Sequence, residues 1–180
     1  MFKRYTSLLF PLLMTLLALA LIVSQRTTTA DAATITVNST ADVVADDGQC
    51  TLREAITAAN TDSTSGTMAG ECPPGSGDDT IMLSTESYTL TITGADEDSN
   101  ATGDLDLTSD ITIEVADGTA TLDGNQLDRV LHVHDGATVS LSDLTITGGK
   151  TADGIDGGQA GQPGGDADHG GGIYNAGILT

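Results

Sequence analysis

The feature that most limits how this chain can fold is the shortness of its strand-like segments. Beyond residue 33 most apolar stretches run only three to five residues, alternate apolar with polar side chains, and stop at Gly, Asp or Asn. Period-two alternation bounded by turn residues reads as strand. The segments are 34–37, 80–83, 88–92, 111–115, 119–122, 130–133, 138–141, 144–147, 173–174 and 178–180, punctuated by turns such as Asp117-Gly118, Asp123-Gly124-Asn125 and Asp135-Gly136. Strands this short suit a sandwich poorly. The pattern of 111–113 recurs at 130–133, and 172–180 repeats the strand, Gly turn, strand layout of 133–139. Coils of about 20 residues carrying several short strands predict an all-β chain built as a parallel β-helix. Composition agrees: aromatic residues make up 3% of the chain and Trp is absent, which fits a thin core repeated along an axis.

One segment breaks the strand pattern. Thr51 followed by Glu54 is a capping box, and Leu52, Ala55, Ile56 and Ala59 share a helical face. The helix fades at Asn60. At about two and a half turns it is too short to stand alone. It is expected to cover the open apolar end of the strand stack, where unpaired edges invite aggregation.

The N-terminus reads as an export signal over residues 1–32. Lys3 and Arg4 precede a 16-residue apolar run from Leu8 to Val23, and Ala30-Asp31-Ala32 supplies a small-x-small cleavage pattern. The alternative is an uncleaved membrane anchor. Residues 33–79 then form a strand and capping-helix region, and 80–180 the rungs. Within the rungs, 148–172 is a Gly-rich excursion in which eleven residues are Gly. The chain ends at Thr180 inside a strand pattern, so it is read as a fragment. Past Ala32 it keeps 25 acidic residues against Arg53, Arg129 and Lys150. Such acidity excludes nucleic acid as a partner and disfavours anionic membrane surfaces. No second apolar segment predicts membrane insertion of the mature part. Cys50 and Cys72 in an exported chain are expected to form a disulfide, with separately buried thiols as the alternative. Neither has a second Cys or His at metal-ligand spacing.

The segment Cys50-Thr51-Leu52-Arg53-Glu54-Ala55 resembles the motif that names the CSLREA-domain family, with Thr51 in place of the namesake Ser. Val37-Asn38-Ser39-Thr40-Ala41-Asp42, Asp79-Thr80-Ile81, Tyr88-Thr89-Leu90, Gly103-Asp104-Leu105-Asp106-Leu107 and Leu127-Asp128-Arg129-Val130 match further elements of that family's pattern, in order. Leu144-Thr145-Ile146-Thr147-Gly148-Gly149 and Gly170-Gly171-Gly172-Ile173-Tyr174-Asn175 look like the repeat of polymorphic outer membrane proteins. The resemblance runs from about Thr34 to the end. It implies a right-handed, pectin-lyase-like parallel β-helix on an exported, secreted or cell-surface protein. The implied role is a non-catalytic adhesion or structural module whose partners are cell-surface glycans or proteins of host or neighbouring cells. The alternative is a pectin-lyase-like polysaccharide lyase or hydrolase. The family supplies no catalytic residues to carry over.

Three groups remain as candidate chemistry. Asp96, Asp98, Asn100 and Asp104 offer oxygen at alternating positions, as Ca²⁺ prefers, although Ala101 and Leu107 stand where an EF-hand loop needs Gly and Glu. His132 and His134 share one strand face. They would hold zinc only if Asp128, Asp135 or His169 supplied a third ligand, and they are read as exposed surface histidines. Arg129, the cation a lyase would need, is read as a structural ion pair with its neighbour Asp128.

Overall fold

The computed structural model describes residues 31–95, 97–151 and 170–180. The chain divides after Ala30 into two units, and everything described lies in the second, Asp31–Thr180. The signal-peptide reading and most of the Gly-rich excursion fall outside the described residues, as do Asp96 and His169.

Among the described residues there are eleven strands and one helix. The strands are β1 (Thr34–Thr36), β2 (Asp79–Leu83), β3 (Ser87–Thr89), β4 (Leu105–Leu107), β5 (Ile111–Val115), β6 (Ala120–Asp123), β7 (Leu131–Val133), β8 (Thr138–Leu141), β9 (Leu144–Thr147), β10 (Ile173–Asn175) and β11 (Ile178–Leu179). The helix α1 is Leu52–Thr61. The all-β expectation holds, with every strand pair parallel. There are three sheets, ordered β1-β2-β5-β8-β11, β3-β6-β9 and β4-β7-β10. From β2 onward the chain therefore visits them in the same cyclic order. Parallel pairing at each return stacks like on like. Ile35, Ile81 and Ile113 are register partners and fully buried, Tyr88 lies over Leu122, and Leu105 over Leu131. These columns merge into one apolar core, aliphatic apart from Tyr88 and the Cys50 and Cys72 sulfurs.

The repeat length differs from the one read in the sequence. In the first sheet Thr80 pairs with Thr112 and Thr112 with Ser140, a return every 32 and then 28 residues. The similarity between 111–113 and 130–133 joins β5 to β7, which sit in different sheets. Short apolar-polar-apolar strands look alike wherever they fall in a turn, so pattern matching confused neighbours in sequence with neighbours in space. The likeness of 172–180 to 133–139 is realised, as β10 over β7 and β11 over β8.

Helix α1 forms as its capping box dictates. The Thr51 hydroxyl accepts the Glu54 amide at 3.3 Å, and the Glu54 carboxylate accepts the Thr51 amide at 3.0 Å. The disulfide Cys50–Cys72 fixes the residue just before the N-cap. The helix packs against β4, β1 and β2. Strand β4 is the edge of its sheet, yet its outward backbone groups have partners. Asp104 C=O accepts from Arg53, Asp106 N–H donates to Asn100 Oδ1, and Asn60 takes both Asp106 C=O and Thr108 N–H. Side chains of the helix and of one loop thus stand in for the missing strand, which removes the cost of an unpaired edge.

The same device closes the continuation of β3. Asp42 Oδ2 accepts the Thr91 and Ile92 amides at 2.6 and 3.0 Å, while its Oδ1 accepts Arg53 Nε at 2.7 Å. Burial works against the Asp42 charge, but the Arg53 hydrogen bond and the two amides hold its carboxyl below the ordinary aspartate value. A carboxyl depressed in the folded state stabilises above its unfolded value, about pH 4, and loses that contribution as pH falls through the folded value. Asp42→Asn is therefore expected to be less stable than wild type at neutral pH, with the gap narrowing below about pH 4. Urea unfolding of both proteins from pH 7 to pH 2 checks this; a gap that stays constant or widens in acid contradicts it.

Candidate functional site

Strand β7 reads Leu131-His132-Val133, so its apolar residues face the core and His132 points out of the opposite face. Its register partners there are Asp106 on β4 and Tyr174 on β10. His134 follows two residues on and returns to the same side. The imidazoles of His132 and His134 stack at 3.7 Å between centroids, and the Tyr174 ring lies 4.8 Å from His132.

This face is covered. The loop 97–102 arches over it, and Asp106 is fully buried while His132 is only 8% exposed. The sequence reading of exposed histidines is corrected: flanking strands and a loop from elsewhere in the chain close over them, which strand alternation alone cannot reveal. His134 is half-buried.

The four groups converge. Asp106 Oδ1 lies 2.8 Å from His134 Nε2 and 3.4 Å from His132 Nδ1. Asp98 Oδ1 lies 3.6 Å from His132 Nδ1 and 4.0 Å from His134 Nε2. One donor atom from each of Asp98, Asp106, His132 and His134 falls within 4.8 Å of all the others. The other Asp106 oxygen is committed, accepting the Asn100 amide at 2.9 Å, so the carboxylate is oriented with Oδ1 toward the imidazoles. Loop 97–102 is in turn folded around Glu97, whose carboxylate accepts the amides of Ser99, Ala101 and Thr102. Partial burial opposes the Glu97 charge, but those amides hold its carboxyl below the usual glutamate value.

His132 Nδ1 is buried with no hydrogen-bond partner. Burial, helped by His134 beside it, pushes the His132 imidazole below the usual histidine value. Two imidazoles and two carboxylates are donors of the kind that bind first-row transition metals.

The sequence-derived Ca²⁺ set is dispersed among other tasks. Asn100 adopts a left-handed backbone (φ 56°) and spends its side chain on the Asp106 amide, Arg53 C=O and Thr57. The Asp104 carboxylate meets Arg129 Nε at 2.8 Å; burial raises its carboxyl above the ordinary value even so. Of the described members only Asp98 joins the cluster. Of the third ligands foreseen for the histidines, His169 lies outside the described residues, Asp135 is exposed and the Asp128 carboxylate accepts the Arg129 amide, while Asp106 and Asp98 face the imidazoles. Arg129 is in a structural ion pair, with Asp104 as the acid facing its guanidinium. Its guanidinium also lies 5.7 Å from the Tyr174 ring centre.

No described helix is long and apolar enough to cross a membrane. Comparison of the chain with family models, with curated proteins and with solved structures finds no match.

Proposed function

We propose that residues 31–180 are the capped beginning of a right-handed parallel β-helix of the CSLREA kind, carried by an exported protein as a non-catalytic surface module for adhesion to glycans or proteins of other cells. The observation that carries the reading is the cyclic passage of short parallel strands through three sheets, each strand in register with the one a full turn earlier. Such an arrangement extends by repetition and presents a long outer surface, which is what solenoids use for binding. The Cys50–Cys72 disulfide fits an oxidising, extracellular setting. A lyase of this architecture would need a basic residue to take a proton; Arg53 and Arg129 are buried in ion pairs with Asp42 and Asp104, which leaves Lys150 as the exposed cation among the described residues. The acidic surface favours partners that are neutral or basic.

The test uses the purified chain in two assays. Saturable binding to cells or to an immobilised glycan panel, without change in the glycans, is the expected result. Release of unsaturated or reducing ends from pectins and uronans, with or without Ca²⁺, would replace the module with an enzyme.

A further inference from the structure

We propose that Asp98, Asp106, His132 and His134 form a binding site for one zinc-class divalent transition metal, clamping loop 97–102 onto β4 and β7. A four-coordinate ion with bonds of 2.0–2.1 Å holds its ligands about 3.3 Å apart. Of the four Asp-to-His separations, 2.8, 3.4 and 3.6 Å bracket that value and the last is 4.0 Å. All donor pairs lie within 4.8 Å, so relative movements of about an ångström would bring the set to a tetrahedron. Asp98 is the group to make most of that movement, because its side chain is 73% exposed and sits on the loop.

Two further observations point to a ligand. The buried His132 Nδ1 lacks a hydrogen-bond partner while facing two carboxylates, an orphan that a metal bond would satisfy. The Asp106 carboxylate is held by Asn100, which is itself tied to helix α1 through Arg53 C=O and Thr57. That is the kind of outer hydrogen bonding that orients a metal-binding carboxylate. The donor set also selects among ions. Ca²⁺ takes six to eight oxygens at 2.3–2.6 Å, and Mg²⁺ an octahedron of oxygens. Two imidazoles and two single carboxylate oxygens match Zn²⁺, Co²⁺ or Ni²⁺ instead. Binding would add a direct tie at Asp98 to a loop that Glu97 and the bonds of Asn100 to Asp106 and helix α1 already shape.

The test is a titration of the chelator-stripped chain with Zn²⁺ against a chromogenic chelator, repeated with Co²⁺ to read the visible absorption of a four-coordinate ion. One equivalent should bind, with the Co²⁺ absorption of a tetrahedral site and a rise in melting temperature. Asp98→Asn changes only an exposed side chain and is expected to fold as wild type does; it should weaken Zn²⁺ binding by about 10- to 100-fold and lose most of the thermal shift. His134→Gln should weaken it at least as much. Substoichiometric binding, affinity unchanged in both variants, or Ca²⁺ binding as tightly as Zn²⁺ would each overturn the assignment. Circular dichroism of each variant confirms that any loss of binding comes from a folded protein.

Discussion

Replacing Arg53 with Ala is expected to cost about 3–5 kcal/mol of folding stability, because it strips one partner from a buried ion pair. Arg53 is 1% exposed and makes five hydrogen bonds: two to the Asp42 carboxylate and one each to the carbonyls of Asn100, Gly103 and Asp104. Its removal leaves a buried carboxylate facing no cation and takes the partner from the Asp104 carbonyl at the edge of β4, where Asn100 and Asn60 still hold the backbone of Asp106. For a chain of this size each kcal/mol moves the melting temperature about 2–4 °C, so a fall of roughly 10 °C is expected. Arg53→Lys should recover little, since a single ammonium cannot reach a carboxylate and three carbonyls at once. Urea unfolding of the three proteins measures this. A loss below about 1 kcal/mol for Arg53→Ala would show that the guanidinium is not what closes this end.

The second large effect concerns the disulfide. Cys50 and Cys72 are 22 positions apart, and closing a loop of that length stabilises by about 3 kcal/mol through the unfolded chain. The Cys50→Ser, Cys72→Ser double variant should therefore unfold at a markedly lower urea midpoint. Wild type in excess dithiothreitol should fall to the same value, and the variant should not respond to the reductant. The bridge also keeps Asn38 where it is needed, since Asn38 accepts the Cys50 amide and donates to Gly70 C=O. A wild-type midpoint indifferent to reductant would mean that these contacts hold the segment without the bond.

Much of this architecture was legible in local patterns. The capping box at Thr51 and Glu54, and the strands 111–115, 138–141 and 144–147, depend on neighbours in sequence, and they appear where the alternation puts them. Strand β4 is absent from the strands read in the sequence: Leu105-Asp106-Leu107 is only three residues long, and it stands out there as an element of the family pattern alone. The missed strand carries the carboxylate at the centre of the candidate site. Asp106 looks like one more surface acid in a chain rich in them, and its burial comes from Asn100 and from the loop above. The histidines were noticed, but their partners lie 26 or more residues away, so nothing in their own strand disclosed the enclosure. The acidic segment 96–104 drew attention for its oxygen spacing. In the fold those oxygens divide between capping an edge, pairing Arg129 and, for Asp98, facing the imidazoles.

The closed edge of β4 has a consequence for the order of assembly. Each later strand in that sheet has a completed predecessor to pair with, whereas β4 has only the helix and the 97–102 loop. Helix α1 is too short to stand alone and packs on β1, β2 and β4, so helix and first turn can form together while the rest of the chain is still unstructured. Each later strand then takes its register from the parallel strand before it in the same sheet. A polypeptide that leaves the ribosome or a translocation pore N-terminus first delivers its template first. Folding can then keep pace with emergence, and lesions at the template should arrest everything downstream while lesions in the last turn should leave the earlier ones intact.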